Sequence, residues 1–388
     1  MIRLEPTTCV LIALVSKSFY YLIQQGITGF SPEYYTLPAP PKLEGPLKPN
    51  TKLSKSEHVL KSYVRGPESL HVEGDTIYTG TLDAKIIKIV NGKITDTVLL
   101  KPENAYKCDG RFEAEPFCGR PLGIRRFDKD RLVVADAYLG IFLVNVDMAQ
   151  DKVEHILKSD KTEVDGEECS FHNDVEVFDN DTIIFSCSSS RWGRRHAFHI
   201  LLEQKNDGRI YRYTISTKNL EVIAKGLRFP NGVQLTKDKT SLLISETGMA
   251  RIHKLSLTDP AGKPRPLIEN LPGMPDNIRV TPRGTYLVAL AGHRSNDTMA
   301  LFDRLGPHPW LRQALIQIIP EQWITTYGPR FQPQYGFVIE FNEQGKILDT
   351  FQDPKAKSVN SISEAVEHDG YIYMGTFKDD YIAKVKRS

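Results

Sequence analysis

The 388-residue chain carries little net charge and no concentration of basic residues. Its 50 Lys and Arg against 48 Asp and Glu leave a formal charge of +2 at pH 7, and the basic residues are scattered along the chain. Nucleic-acid-binding proteins normally present a basic stripe or face, because much of their affinity comes from neutralising phosphates. The sequence therefore predicts no nucleic-acid partner.

Two catalytic signatures are also missing. The chain has no Cys-x-x-Cys pair, and His172, His199 and His253 lie far apart in sequence, which argues against a zinc site. The serine run at 188–190 lacks the Gly-x-Ser-x-Gly elbow, which argues against a serine hydrolase. Cysteine is scarce, and the five present are an odd number, compatible with two disulfides and one spare thiol.

What the chain does contain is one short phrase repeated six times, each time followed by a turn and a β-rich run. The copies occupy residues 67–72, 121–126, 172–177, 230–235, 275–280 and 362–367. A sixfold β repeat is typical of a propeller, whose repeated strands converge on one central channel. We therefore predict an all-β, six-bladed β-propeller over residues 57–388.

The second position of the phrase is rich in oxygen ligands. Read through the six copies, it holds Glu68, Leu122, Asn173, Asn231, Asp276 and Ser363. Two carboxylates and two amide carbonyls at one point in the channel describe a site for a hard cation. The column predicts bound Ca²⁺.

The N-terminal region predicts a membrane segment and a linker. Residues 4–23 are mostly apolar and about as long as a membrane span. We interpret residues 1–30 as a signal anchor, although Lys17 is costly in a membrane and a cleaved signal peptide or a buried soluble segment stays open. Residues 31–56 are proline-rich and predict an extended linker. Residues 58–64 then predict an outer strand that closes the ring.

An insertion at about 303–333 separates the last two copies of the phrase. Its apolar residues from Trp310 to Ile319 recur at helical spacing, and Pro320 ends the run. Two interpretations stay open: a helix packed on the propeller rim, or an apolar lid or membrane-facing flap over the channel mouth.

Five longer motifs resemble those of a known family. They are Cys118–Arg125 (CGRPLGIR), Val134–Tyr138 (VADAY), Phe229–Val233 (FPNGV), Met274–Arg279 (MPDNIR) and Glu367–Gly370 (EHDG). Together they resemble the strictosidine synthase-like family. That resemblance implies a six-bladed propeller related to paraoxonases, gluconolactonases and diisopropyl fluorophosphatase, hydrolases that hold a catalytic Ca²⁺ in the channel.

The resemblance also implies a ligand set. Paraoxonase-type enzymes carry a Glu in the first copy, Asn in the third and fourth, and an Asp-Asn pair in the fifth. The matching residues here are Glu68, Asn173, Asn231, Asp276 and Asn277. Each alone would be an ordinary turn or capping residue, because Asn-Gly and Asp-Asn are common in turns. Five matches in register favour a metal site.

Two departures limit what the resemblance implies about activity. Paraoxonases have a His where this chain has Leu122, and a second His near what is here Asp136 or Ala137. Strictosidine synthase carries its catalytic Glu where this chain has Ser363. The sequence therefore predicts neither a histidine pair nor a true strictosidine synthase.

The remaining mechanism is catalysis by the ion itself, in which Ca²⁺ is the Lewis acid and Asp276 is the nucleophile or base. Arg120, Arg125, Tyr138 and His172 are candidate neighbours. One hypothesis is a membrane-anchored, Ca²⁺-dependent hydrolase of small-molecule esters or lactones, arylesterase-like in activity. The other is a non-enzymatic propeller with a structural ion and a protein partner on its rim.

Three features predict that the propeller lies outside the cell or in the lumen of the secretory pathway, on a single-pass type II protein. Asn180 and Asn296 begin glycosylation sequons. Cys108 and Cys118 flank a nine-residue loop, a spacing that suits a local disulfide.

Overall fold

The computed structural model describes residues 29–101, 103, 107–147, 153–259, 262–295, 301–319, 323 and 333–387. In these ranges no helix is long and apolar enough to cross a membrane. The predicted span at 4–23 lies outside them, as does Asn296.

The fold is the predicted all-β propeller, built from six four-stranded antiparallel sheets. Blade 1 is β2 (Leu70–Glu73), β3 (Thr76–Gly80), β4 (Lys85–Val90) and β5 (Lys93–Leu99); blade 2 is β6 (Pro121–Arg126), β7 (Arg131–Asp136), β8 (Gly140–Asn145) and β9 (Val153–Lys158). Blade 3 is β10 (His172–Val177), β11 (Thr182–Cys187), β12 (Gly208–Thr214) and β13 (Asn219–Leu227); blade 4 is β14 (Pro230–Leu235), β15 (Ser241–Glu246), β16 (Arg251–Ser256) and β17 (Arg265–Ile268). Blade 5 is β18 (Gly273–Val280), β19 (Tyr286–His293), β20 (Gly336–Phe341) and β21 (Ile347–Asp353); blade 6 is β22 (Ile362–His368), β23 (Tyr371–Thr376), β24 (Ile382–Lys386) and β1 (Glu57–Val59).

The ring is closed by the N-terminal strand, as the sequence predicts. Strand β1 pairs antiparallel with β24, with Glu57 opposite Lys384 and Val59 opposite Ile382. The strand stops at Val59, short of the predicted range, because Leu60 takes a left-handed conformation (φ 55°) that breaks the pleat. Closure pairs the last blade's outer strand and so removes an exposed edge.

The repeated phrases form the first strands of the blades, and these strands contact one another around the axis. Each second strand lies between neighbouring blades and is buried on both faces. In β7, for example, Leu132, Val133, Val134 and Ala135 are all fully buried. This explains why the second strands are nearly continuous apolar runs rather than alternating ones.

The two ends of the propeller differ. We call the end at which the first strands begin the ligand face. Connections at the opposite end are mostly tight turns, such as residues 74–75 and 369–370. The ligand face carries the long insertions, at about 100–120, 188–207 and 294–335.

In the described parts of those insertions lie four short helices. They are α1 (Glu115–Cys118), α2 (Ala197–Glu203), α3 (Leu301–Leu305) and α4 (Pro309–Ile318). Single 3-10 turns occur at Gly45–Leu47, Ser159–Lys161, Arg194–His196 and Thr247–Met249. We call helices α2, α3 and α4 the cap, because they pack together over the ligand face around a cluster that includes Ile200, Phe302 and Ile316.

The predicted helix of the insertion is therefore present as α4, and Pro320 lies just outside the described residues. Its buried side contacts α2, and α2 lies over the channel rather than on the outer rim. This position favours the lid over the rim helix.

Residues 29–56 have little regular structure but pack on the propeller. The Tyr35 hydroxyl donates to the carbonyl of Phe302 at 2.7 Å, and Asn50 donates to the carbonyl of Thr350 at 3.0 Å. Leu53 is fully buried in the core between the last two blades. The proline-rich stretch thus lies along the domain.

Two disulfides are present in the described chain. Cys108–Cys118, predicted from spacing, is confirmed, and it ties the loop that carries α1. Cys169–Cys187 joins the start of blade 3 to its second strand. The spare cysteine is Cys9, which lies outside the described residues.

Candidate active site

The predicted ligands lie where the first strands leave regular pairing. The register between first and second strands breaks between residues 172 and 175, 230 and 233, and 275 and 278. Asn173, Asn231 and the pair Asp276–Asn277 fall inside these breaks. A β-bulge redirects side chains that a regular strand would place on alternate faces. The breaks therefore free these residues to face the channel.

Glu68 comes from blade 1, two residues before β2 begins. Its backbone carbonyl accepts a hydrogen bond of 2.7 Å from the hydroxyl of Ser363, which is fully buried. Ser363, in the last copy of the phrase, thus fixes the main chain that carries Glu68.

Glycines allow the first strands to approach closely near the axis. A Cβ atom on Gly232 would lie 2.5 Å from the Cα atom of Asn277, and one on Gly123 would lie 2.8 Å from that of Asp174. Neither contact is tolerable, so both positions require glycine. The close approach brings Asn231 and Asn277 side by side.

Four of the five predicted ligands line one cavity of about 290 Å³ on the ligand face: Glu68, Asn173, Asn231 and Asp276. The fifth, Asn277, is buried beside them. The remaining wall is mainly apolar, formed by Leu82, Phe112, Leu122, Phe171, Ala197, Phe198, Leu201, Phe229, Met274 and Phe377. The cavity is an apolar pocket with a small group of polar oxygen atoms, which is the usual form of a small-molecule binding site.

Each of the five side chains has a buried oxygen with no hydrogen-bond donor among the residues that the structure describes. These atoms are Glu68 Oε2, Asn173 Oδ1, Asn231 Oδ1, Asp276 Oδ1 and Asn277 Oδ1. An unsatisfied buried polar atom costs about 1–3 kcal/mol, so five at one place call for a ligand.

The geometry also orients one of these oxygens. Asn173 Nδ2 donates to Ser188 Oγ at 2.9 Å, and Ser188 in turn donates to the carbonyl of Pro230 at 2.8 Å. These bonds leave the Asn173 carbonyl oxygen free of protein donors. Two carboxylates and three amide oxygens are hard donors, and they fit Ca²⁺.

Electrostatics lead to the same conclusion. Burial raises the pKa of Glu68 to about 7, although Arg120 and Arg194 oppose the rise. Burial, and then the charge of Glu68, raise the pKa of Asp276 well above its usual range. A divalent cation between the two carboxylates would relieve both the desolvation and the repulsion.

One wall of the cavity contains a polar network that the sequence did not reveal. The Glu115 carboxylate accepts from Tyr138 Oη at 2.7 Å and from Arg194 Nη1 at 2.9 Å. Burial alone would raise the pKa of Glu115, but Arg194 and Tyr138 hold it below its usual value. Only Tyr138 had been singled out, because Glu115 and Arg194 lie in insertions outside the repeat.

The other predicted neighbours are not at the cavity. Arg120 is fully buried and donates to the carbonyl of Gly66 at 2.7 Å. His172 is buried against the ring of Phe185, and burial lowers its pKa to about 4. Asp136 accepts from two backbone amides of the following turn. Among the described residues that line the cavity there is no histidine.

Arg125 belongs to a deeper layer of charges in the channel. It donates to Glu176 at 2.8 Å, while Arg279 donates to Asp174 at 2.8 Å and pairs with Glu364. All of these side chains are buried or nearly so. They are paired with one another, unlike the ligand oxygens above them.

Comparison with known proteins fits this architecture. The family model for strictosidine synthase matches residues 173–260, and the model for the N-terminal part of strictosidine synthase-like proteins matches residues 45–89. An adipocyte plasma membrane-associated protein from Salmo salar is 39% identical over 372 residues, covering 95% of this chain and 86% of that protein.

Solved propellers share the fold at low identity. Regucalcin, a calcium-binding protein from Agrobacterium tumefaciens, superimposes with a TM-score of 0.53 at 12% identity, covering 84% of this chain and 92% of that one. A gluconolactonase from Xanthomonas campestris gives a TM-score of 0.53 at 14% identity, covering 92% and 98%. At such identities the likeness shows the fold alone.

Proposed function

The chain belongs to the strictosidine synthase-like family, and from this premise we propose that it is a membrane-anchored, Ca²⁺-dependent hydrolase of esters or lactones, arylesterase-like in activity. One observation carries the proposal: five side chains at or beside an apolar cavity each have a buried oxygen that finds no hydrogen-bond donor in the described chain. The likeness of fold to a gluconolactonase agrees with it. A true strictosidine synthase is not proposed, because Ser363 takes the place of the catalytic Glu and instead holds the Glu68 backbone.

Glu68, Asn173, Asn231, Asp276 and Asn277 would hold the ion. Bound there, Ca²⁺ would supply Lewis-acid stabilisation of negative charge developing on a carbonyl oxygen. The apolar wall would exclude water, and the packed first strands hold the oxygens in fixed positions, so little reorganisation is needed when substrate binds.

Asp276 would act as the base or as the nucleophile. As a base, its carboxylate takes a proton from water, the water oxygen bonds to the carbonyl carbon, and the alcohol leaves with a proton as the ester C–O bond breaks. As a nucleophile, it bonds to the carbonyl carbon, the ester C–O bond breaks and the alcohol leaves with a proton, and water then hydrolyses the acyl-enzyme. A single turnover in ¹⁸O-water identifies the second route if ¹⁸O enters the Asp276 carboxylate, which happens only when water attacks the Asp276 carbonyl carbon of an acyl-enzyme.

The apolar walls would bind the acyl or aryl part of the substrate. Leu122 lies on β6, Phe171 and Phe229 come directly before β10 and β14, and Phe198 and Leu201 line the pocket from α2. A volume of about 290 Å³ suits a small aromatic or medium aliphatic ester.

The topology we propose is type II, with the propeller outside the cell or in the secretory lumen. The name of the Salmo salar relative supports membrane association. Two disulfides suit an oxidising compartment. Asn180 is exposed in the turn between β10 and β11, where a glycan has room.

Hydrolysis of phenyl acetate by the purified full-length chain tests the activity. We expect turnover in millimolar Ca²⁺ that EGTA abolishes and Ca²⁺ restores. Asp276→Asn should lower it by about 10²-fold or more, whereas Asp369→Asn, on a 79% exposed side chain at a turn of the opposite end, should leave it unchanged. No turnover above the spontaneous rate, or equal turnover in EGTA, would overturn the proposal.

The second candidate function is a non-enzymatic propeller that binds Ca²⁺ structurally and a protein partner on its rim. The absence of histidine among the described residues that line the cavity favours it. In that case calorimetry would show Ca²⁺ binding lost in Glu68→Gln, with no ester or lactone hydrolysed.

A further inference from the structure

The N-terminal segment that follows the proposed anchor is fixed to the cap. Phe30 is buried and packs edge-on against His199 of α2, with ring centroids 5.9 Å apart. The backbone amide of Ser31 donates to the Glu203 carboxylate at 2.7 Å, and that of Glu33 donates to the Glu203 carbonyl at 2.8 Å. The first described residues of the chain therefore lie at the ligand face.

A buried arginine strengthens this attachment. Arg312 of α4 is fully buried and donates to the carbonyls of Leu305 and Gly306, each at 3.0 Å. It also donates to the carbonyls of Leu202 and Glu33. One guanidinium thus joins α4, the turn after α3, the end of α2 and the N-terminal segment, so these four parts form one unit.

Chain length then limits how far the cap lies from a membrane. Only residues 24–29 separate the predicted span at 4–23 from Phe30. Seven Cα–Cα steps reach at most about 25 Å. The opposite end of the propeller is farther from Phe30 by the length of a six-residue strand, roughly 20 Å, and by the depth of the cap.

The exposed apolar side chains are unevenly distributed. Ten large apolar side chains of the described chain are exposed, and six of them belong to the ligand face: Tyr34, Tyr63, Phe117, Trp310, Ile318 and Trp323. The other four lie toward the opposite end: Ile94, Val280, Leu348 and Tyr371. Both tryptophans are on the ligand face and are more than 60% exposed. Tryptophan and tyrosine are the side chains that prefer the membrane interface.

We propose that the ligand face rests on the lipid bilayer, with α4 at the membrane surface, so that the cavity mouth opens toward lipid. The inference rests on the anchor and the hydrolase activity proposed above, and it adds the source of the substrate. Three lining phenylalanines, Phe112, Phe198 and Phe377, are only half-buried, unlike Leu122, Phe171 and Phe229 deeper in the wall, so the mouth of the cavity lies beside the cap. The substrate class is therefore an ester or lactone that partitions into the bilayer and enters the pocket from it.

The test measures which end of the propeller touches lipid, without any need for catalysis. Full-length protein with Cys9→Ser receives one reporter cysteine, Ile318→Cys on the ligand face or Leu348→Cys at the opposite end, two matched exposed aliphatic sites. Each is labelled with a polarity-sensitive fluorophore and reconstituted into phosphatidylcholine vesicles that contain a spin-labelled lipid quencher. We expect blue-shifted, quenched emission at 318 and neither effect at 348.

Three results would overturn the proposal. Equal quenching at both sites, or stronger quenching at 348, would show another orientation. Blue-shifted but unquenched emission at 318 would show that protein, such as a second copy, covers the face. A chain that fails to float with the vesicles has no bilayer contact.

A second arm tests the substrate route. Ile318→Asp should slow hydrolysis of a long-chain naphthyl ester embedded in vesicles while leaving soluble phenyl acetate turnover unchanged, and Leu348→Asp should change neither. Equal slowing of both esters by Ile318→Asp would contradict the route. If wild-type protein hydrolyses neither ester, the hydrolase proposal fails, but the fluorescence result still decides the orientation.

Discussion

The buried carboxylate of Glu68 makes stability depend on pH in a direction that Ca²⁺ should reverse. Burial raises the pKa of Glu68 from 4.5 to about 7. Between these values the folded chain holds a proton that the unfolded chain has released. The unfolding free energy of the Ca²⁺-free protein should therefore fall as pH rises from about 4.5 to 7.

The size of the effect follows from the shift. A difference of about 2.5 pKa units corresponds to about 3 kcal/mol, at roughly 1.4 kcal/mol per unit. For a propeller of about 330 residues the unfolding entropy is about 0.7 kcal/mol per degree, so the melting temperature should fall by about 5 °C. Asp276, whose pKa is also raised, adds to the effect in the same direction.

Calcium should oppose this loss, because at the proposed site it would bind the ionised carboxylates of the native state only. At a free concentration 100 times its dissociation constant, a ligand adds about 2.7 kcal/mol, or about 4 °C here. The gain in melting temperature on adding Ca²⁺ should therefore grow from pH 5 to pH 8.

Thermal unfolding followed by circular dichroism, in EGTA and in Ca²⁺ across this range, measures both effects. Glu68→Gln keeps an oxygen but removes the charge, so it should raise the melting temperature in EGTA at pH 8 and abolish the response to Ca²⁺. Glu115→Gln is the matched control at the same cavity. Because its pKa is lowered, that substitution should destabilise the protein at pH 8. An unchanged pH slope in Glu68→Gln, or a Ca²⁺ response equal to wild type, would refute the reasoning.

Three further outcomes are expected. Asp276→Asn in saturating Ca²⁺ should lower phenyl acetate turnover by about 10²-fold or more, whereas His172→Gln, outside the cavity, should lower it modestly and leave the pH–rate profile unchanged. Cys118→Ser should lower the melting temperature by freeing the loop that carries α1 and raise the KM for phenyl acetate, a result that a surface serine substitution should not reproduce. Protein from animal cells should shift in mobility on glycosidase treatment, and Asn180→Gln should reduce that shift; no shift at all in wild type would contradict the luminal placement.

The propeller and its inner column of oxygens could be predicted because they are repeated. Six copies of one phrase fix six first strands, and closure into a ring brings every second position to one axis. The bulges that turn Asn173 and Asp276 toward the channel were not predicted, since a register break leaves no mark in residue type. The second position is nevertheless a reliable guide, because the break spans the same positions in copies two to five.

The cap could be predicted only in part. Helical spacing revealed α4, but nothing local linked it to α2, which is about 110 residues earlier in sequence. Their contact combines an apolar cluster with the hydrogen bonds of Arg312, and those bonds all end on backbone carbonyls, which every residue type carries. The network of Glu115 and Arg194 could not be predicted either, because both residues lie in insertions that have no counterpart in the other blades.

The repeat also contains a second layer that explains why the site opens on one side. The third position of the phrase places Asp174 and Glu364 below the ligand oxygens, and the fifth places Arg279 between them. Asp174 and Glu364 are fully buried, and the guanidinium bonds to both. An ion-paired layer of this kind closes the channel beneath the ligands, whereas the oxygens above it have no donors at all. A substrate would then reach those oxygens from the ligand face, past α2, and in the proposed orientation the position of the cap relative to the membrane would determine which substrates the cavity meets.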